Sequence, residues 1–469
     1  MTVAPLAAEG IALRRAVLAN LLSSVGESGA RFLLGLALAR LLRASELGLF
    51  ALAMAVYGVA QLLRDLGITT YLQREPALTQ ARFSACLGLL AATTAAVTVA
   101  LAVLADPLAR VLAQPGLAPV LWVLAPMLPL SAFSSVMAAL QLRALAAGPI
   151  VRMSWLGLWV QAGVSLACCA QGAGALGLAW AQLATTVVCG LAHLGMRPPG
   201  LRWRPALRGA REVLGFAGRA ALPAALTNLH GLLPDLLLGR LGGAHVLGLF
   251  GRAQAAVGLL QTLAGRALSF GALPVLARQH AEGRALEPAL RRATALLTGL
   301  GWPLLALTAA YREPLIGLLY GPAWLDCAPA VPPLALAAAL ALMFSQLGAA
   351  LSAVGRPELA AAPVALTLAA RMGLGLAVFD GSVASFAWAM LGAAVAALPL
   401  QLVLSARHLA QPPRALAAAV GGSALAALAV VLVPTVLVPP AWLGTLYLCR
   451  HPLFEEVAQL ARRRMTSRK

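Results

Sequence analysis

The chain is predicted to be an all-α, polytopic membrane protein of about 14 transmembrane helices, and three observations lead there. Apolar residues fill 61% of the 469 positions and charged residues only 11%, whereas soluble domains carry about 25% charge. Apolar segments near 20 residues recur from end to end, each long enough to cross a hydrocarbon core of about 30 Å. An 11-residue stretch also returns two hundred positions later: Arg40–Phe50 reads RLLRASELGLF, Arg240–Phe250 reads RLGGAHVLGLF, and 7 positions are identical. The register continues through Ala53/Ala253, Gly58/Gly258 and Gln61/Gln261, so the chain contains an internal repeat.

In chain order, the first half is expected to hold spans 16–39, 45–67, 83–105, 118–142, 151–170 and 174–195. The second half holds 214–238, 245–273, 291–311, 328–353, 359–379 and 383–405. A final pair, 415–433 and 436–449, closes the chain, its last member short and interrupted by Pro439-Pro440. The net charge of +19 would suggest nucleic acid in a soluble chain, but here it comes from the loops. With the N-terminus in the cytoplasm, 25 of the 35 basic residues fall on the cytoplasmic side, 5 on the other and 5 within or at the edge of spans. That asymmetry is the positive-inside bias, and it favours an even number of spans, with the basic tail returned to the cytoplasm. Only Lys469 among the 35 is lysine, which reads as a coding bias rather than chemistry.

Two copies in the same orientation need an even number of spans per half. A second echo agrees: Asp106-Pro107-Leu108 follows the third span and Glu313-Pro314-Leu315 the ninth, each before a proline-rich entry to the next helix. The expected layout is therefore two parallel-repeat, six-helix lobes, a transporter plan. Residues 1–212 form the first lobe with its basic linker, 213–410 the second, and 411–469 the helix pair and tail. Six cysteines (Cys86, Cys168, Cys169, Cys189, Cys327, Cys449) lack metal-ligand spacing and read as small buried side chains. No metal or cofactor is expected, and no loop exceeds about 25 residues, so no catalytic domain is either.

Four stretches carry a family likeness: RLLRASELGLFALAMAVYGVAQLLRDLGI, LLYGPAWLDCAPAVPPLALAAAL, LGLFGRA and LSAVGRPEL. Together they resemble the polysaccharide-transporter (oligosaccharide flippase) family of the multidrug/oligosaccharidyl-lipid/polysaccharide exporter superfamily, from about Arg14 to Arg414. The resemblance implies two lobes around a central cavity, alternating access, and an oligosaccharide on a polyprenyl pyrophosphate as cargo. It places the protein in the bacterial inner membrane, with the glycan polymerase and glycosyltransferases of one pathway as partners.

Charged and polar residues inside spans are the candidate site, since each charge costs about 3 kcal/mol on insertion scales. Asn20, Glu27 and Arg31 share one face of the first span, with Glu27–Arg31 also readable as a local pair. Gln61 lies on the second span with Tyr57 and Arg64; Arg64 and Asp65, near the cytoplasmic end, are expected to snorkel to the interface. Arg252 and Arg266 lie four turns apart on one stripe of the eighth span, with Gln261 nearby. Asn228 and Asp235 come from the seventh span and Arg371 from the eleventh. Arg31, Arg252, Arg266, Arg371, Asn20, Asn228, Gln61 and Gln261 are the cavity candidates; Glu27, Asp65 and Asp235 are candidates for pairing or coupling. Guanidinium groups bind phosphate oxygens bidentately, so the excess of intramembrane arginine points to an anionic cargo.

A lipid II flippase and a drug or cation antiporter of the same superfamily are the nearest alternatives, the second expected to line its cavity with carboxylates. A membrane-bound glycan polymerase or ligase would need clustered acids, and the outer loop around Arg312–Ala328 offers only Glu313 and Asp326. The layout is open to direct measurement: reporter fusions after Arg202 should score cytoplasmic and fusions near Tyr320 periplasmic, and the reverse pair would overturn it.

Overall fold

A computed structural model describes residues 26–454 apart from 76–77, 145–146, 199, 270–271 and 435–436, with the side chains of 147, 216–223, 259–275 and 277 also outside the description. The first helices are α1 (26–41), α2 (Ala44–Asp65), α3 (Ile68–Arg74), α4 (Gln80–Val111), α5 (Leu117–Leu124) and α6 (Met127–Arg143). There follow α7 (Ala147–Ala170), α8 (Gly174–Leu194), α9 (Ala210–Leu241), α10 (Gly243–Ser269), α11 (Ala272–Ala281), α12 (Glu287–Ala310) and α13 (Arg312–Leu319). The last are α14 (Val331–Met343), α15 (Leu347–Ala353), α16 (Ala361–Val378), α17 (Val383–Leu409), α18 (Pro413–Leu432) and α19 (Val438–Leu448), with 3₁₀ turns at Pro322–Ala330 and Pro357–Ala360. No strand occurs among the described residues, as the all-α expectation requires.

Among the described residues nine helical segments are long and apolar enough to span, ten if the bent pair α5–α6 counts as one. The expected single span 118–142 is broken there by 44°. Pro126 has no N–H to continue α5, so the chain restarts at Met127. With 11 residues, α19 is about 16 Å long at 1.5 Å per residue, half the hydrocarbon thickness. Many large apolar side chains face outward, among them Val99 at 62%, Val103 at 68% and Leu432 at 73% exposure. Contiguous apolar surface of this kind marks a lipid-facing wall.

The chain divides into two compact units, residues 1–248 and 249–469. In the first, α9 packs on α2, α3 and α4. The repeated motif explains part of this packing. In the first copy the Glu46 carboxylate accepts from the Arg43 N–H (2.8 Å) and so caps α2; in the second, Gly243 takes φ +74 to open α10. A Cβ on Gly48 would collide with the Ala244 carbonyl, and one on Gly248 with the Ala44 carbonyl. The two contacts are reciprocal, each glycine facing the residue four before the other, so the two copies meet about a local two-fold with backbones touching, as small residues allow in membranes.

At one end of this unit a core of Ile68, Leu72, Phe83, Cys86, Val136 and Val213 joins α3, α4, α6 and α9. The connection between α8 and α9 is strapped across it. Gln80 brackets Arg202, donating to its carbonyl (2.7 Å) and accepting from its N–H (2.9 Å), and Ala206 N–H donates to Ser84 O (2.9 Å). Gly88 leaves the room that the Ala206 backbone occupies. Arg82 ties the strap's far end by pairing with both Glu75 (2.6 Å) and Glu212 (3.0 Å).

The second unit is organised by α12 against α18. The His451 ring sits where Gly299 and Gly422 lack side chains. Its Nδ1 accepts from Leu453 N–H (3.2 Å), which leaves Nε2 to donate to Ser423 Oγ (3.1 Å). Ser423 in turn reaches Thr298 Oγ1 (2.8 Å), which donates to Thr294 O (2.8 Å). Burial lowers the His451 pKa, keeping the ring in the neutral form this relay needs. Phe386 lies edge-on to both Phe250 (5.2 Å) and Phe379 (6.3 Å). Between α16 and α17 the Asp380 carboxylate, hydrogen-bonded by Ser385 and Ser382, is held at a pKa of about 2.

The glycine contact yields a stability test. Gly48→Ala should cost about 2 kcal/mol through overpacking against backbone, read as a lowered melting temperature of the purified protein. Gly58→Ala, which meets only the movable tip of Leu232, should cost clearly less; equal effects would remove the special role of the repeated glycine.

Candidate functional site

A cavity of about 780 Å³ opens in the first unit, lined by α2, α3, α6 and α9. Its polar wall starts from α2, where Tyr57, Gln61 and Arg64 fall at spacings of four and three and so share a face. Helix α2 ends at Asp65 because Leu66 (φ +42) and Gly67 (φ +81) both turn left-handed. That turn lets the Asp65 carboxylate cap the next helix: Thr69 donates to it from its hydroxyl (2.9 Å) and its N–H (3.4 Å).

Arg64 is 3% exposed, so the snorkelling expected of it does not occur. The Leu66–Gly67 turn carries the chain into α3, whose packing with α6 covers this end of α2. Its guanidinium donates to Leu128 O (3.0 Å), Ser131 Oγ (2.7 Å) and Ser135 Oγ (3.2 Å). Ser131 passes its own proton to Leu128 O (3.0 Å), so it accepts from both Arg64 and Tyr57 (3.1 Å). Gln61 Nε2 then donates to Tyr57 Oη (3.4 Å). Among the described ion pairs none involves Arg64, and its Nε–H has no hydrogen-bond partner. A buried cation that lines a cavity, held by neutral acceptors and not by a carboxylate among the described ion pairs, is suited to an anion.

The structure brings together four of the residues expected from the sequence, Gln61, Asp65, Asn228 and Asp235, all on this cavity. It adds Tyr57, Arg64, Ser135 and Thr69. The serines of α6 had a signal in the sequence that was not used: Ser131 and Ser135, four apart in an apolar helix, mark a polar stripe facing inward. Arg31 is elsewhere, its side chain 55% exposed and paired with Glu27 at 2.9 Å, the local-pair alternative. In the second unit, Arg252 lies with its Cζ 5.9 Å from the Tyr320 ring centroid, a cation–π seat. Arg371 is half-buried in α16. Asn20, and the side chains of Gln261 and Arg266, lie outside the described residues.

A family model described as "Polysaccharide biosynthesis protein" matches residues 37–329. The chain belongs to that family. It is 28% identical over 164 residues to the teichuronic acid biosynthesis protein TuaB of Bacillus subtilis (strain 168), a match spanning 34% of each chain. In fold it is similar to the lipid II flippase MurJ in an inward closed conformation (TM-score 0.79, 9% identity, covering 94% of this chain and all of the other). An inward-facing multidrug resistance MATE transporter of the MOP superfamily also matches (TM-score 0.63, 15% identity, 81% of this chain and 94% of the other). The fold is thus that of the MOP-type membrane transporters, and the chain a multi-pass membrane member of the polysaccharide biosynthesis family.

Removing the Arg64 charge should be gentler than stranding it. Ser131→Ala leaves the guanidinium short of an acceptor and should lower stability by about 2 kcal/mol. Arg64→Met removes charge and need together and should shift the melting temperature less. The opposite order would make Arg64 a packing residue rather than a held cation.

Proposed function

We propose that the protein flips a polyprenyl-pyrophosphate-linked oligosaccharide, a polysaccharide repeat unit, from the cytoplasmic to the outer leaflet of the bacterial inner membrane. The observation that supports this best is Arg64, buried and incompletely satisfied on a polar cavity, in a chain of the polysaccharide biosynthesis family. On this reading the guanidinium meets the pyrophosphate, and Gln61, Asn228 and the hydroxyls around them meet the sugar, whose water shell they replace. Two six-helix lobes, 1–212 and 213–410, alternate around the cargo, while the prenyl tail stays in lipid. Both termini face the cytoplasm, the glycosyltransferases and glycan polymerase of the pathway are its partners, and the protein performs no covalent chemistry.

A second reading has its own observation. Among its described lining residues the cavity holds two carboxylates, Asp65 and Asp235, and one guanidinium, Arg64, and carboxylates are what a cation antiporter would use. In the flippase reading they take the coupling proton or cation instead. The two readings part on mutation: in the flippase, Arg64→Ala should abolish glycan export in cells that accumulate the protein normally, and Arg64→Lys should restore it only in part, because the planar fork is lost. Export that survives Arg64→Ala but fails in Asp65→Asn, alongside efflux of an organic cation, would transfer the assignment to antiport.

A further inference from the structure

A second cavity in the first unit, about 500 Å³ in volume, is a groove along α4 closed by α6 and by Trp203 of the strap. Along α4 it runs from Leu87 to Val99, about 18 Å at 1.5 Å per residue, and its outer edge is the lipid-facing wall described above. Most of its lining is apolar, including Leu90, Ala95 and Phe133. Three hydrogen-bonding groups in that lining have no partner: Thr94 Oγ1, Thr98 Oγ1 and Trp203 Nε1. Thr94 is only 4% exposed. The contrast with its neighbour is sharp, since Thr93 donates its hydroxyl to the Arg64 carbonyl (2.8 Å). Buried polar groups left unpaired cost roughly 1–3 kcal/mol each, so three in one groove call for an occupant that brings acceptors.

The groove also has a cation at one end. The Arg197 guanidinium lies 5.3 Å from the ring centroids of both Phe133 and Trp203, two of the lining residues, and none of the described ion pairs gives it a carboxylate. Two aromatic faces hold it in place while its N–H edges remain open to an anion.

We propose that this groove binds a glycerophospholipid of the surrounding bilayer. The phosphate lies on Arg197, the ester carbonyls accept from Trp203 Nε1–H and the Thr94 hydroxyl, and an acyl chain follows α4 towards Val99. The order of these groups along the groove matches that lipid: charge at the strap, then the donors of Trp203, Thr94 and Thr98 for the ester carbonyls, then hydrocarbon. An isoprenoid tail has the phosphate and the hydrocarbon but nothing between them for the threonines, which is why the site is assigned to a diacyl lipid rather than to cargo.

The test is native mass spectrometry of the full-length protein released from nanodiscs of dioleoyl phosphatidylglycerol in phosphatidylcholine. Retained lipid is compared with that of variants that keep shape while removing one group. Thr94→Val and Trp203→Phe should each reduce retained lipid about fivefold, and Arg197→Ala about tenfold. Ala95→Phe should abolish retention by filling the groove. The dialkyl-ether analogue of the same lipid, which lacks both carbonyls, should bind wild type more weakly than the ester lipid binds Thr94→Val. Equal retention of ether and ester lipids would overturn the carbonyl assignment, and displacement by an isoprenyl phosphate at lower concentration than by the diacyl lipid would give the groove to cargo. Unchanged retention in all four variants would overturn the site itself. Melting temperatures within a few degrees of wild type for Thr94→Val show that a loss reports binding and not unfolding.

Discussion

A guanidinium inside an apolar helix has to be satisfied by the protein, because hydrocarbon offers it nothing. Arg64 is where that constraint is met in the first unit, and much of the local structure follows from it. The helix carrying it must stop one residue later, at the Leu66–Gly67 turn, so that α3 can cover it. The facing helix must present acceptors at helical spacing, which Ser131 and Ser135 do together with the Leu128 carbonyl. That carbonyl lies just past the break at Pro126, close to the start of α6, where serines can gather beside it. One charge thus ties α2 to α6, on the wall of a cavity that Arg64 itself lines.

The repeated motif works by a different rule. Its shared glycines are used for what they lack. At Gly48 and Gly248 the absent side chains let two backbones touch reciprocally, which a chain rich in leucine could not otherwise achieve. The identical positions therefore record a contact between the copies and not a chemical function. The copies differ at Glu46 against Val246 and Arg43 against Gly243: the first start is capped by Glu46, and the second opens on a left-handed glycine.

Most of the fold was legible because lipid leaves so few options: apolar runs had to be helices, and the repeat fixed which turns matter. Legibility failed where a helix is interrupted from within. The kink at Pro126 needed a decision between a broken and a continuous span, which residue counting does not make, although two prolines three residues apart were visible. The site was half legible for a related reason. Gln61, Asp65, Asn228 and Asp235 were picked out as polar residues in spans, and they do share a cavity. From sequence Arg64 reads as an interface residue because it lies near the end of its helix, where a span ordinarily meets water. In the fold α3 covers it instead. The partners of Arg64 could not be read at all, since serine hydroxyls and a carbonyl carry no charge that would pair with it in sequence.

The composition of the cavity bears on how one site can hold both a phosphate and a sugar. Two charges 4 Å apart interact by about 4 kcal/mol at an effective dielectric of 20, so the carboxylates beside Arg64 would repel a phosphate strongly if their charge were bare. Asp65 is fixed in place: its two oxygens accept from the Thr69 hydroxyl and N–H, which ties it to α3. On the proposed reading the phosphate meets a guanidinium whose near neighbour is already engaged. On the same reading, carboxylate and amide oxygens further round the wall would accept from the sugar hydroxyls, which bear donors that a fully ionised phosphate lacks.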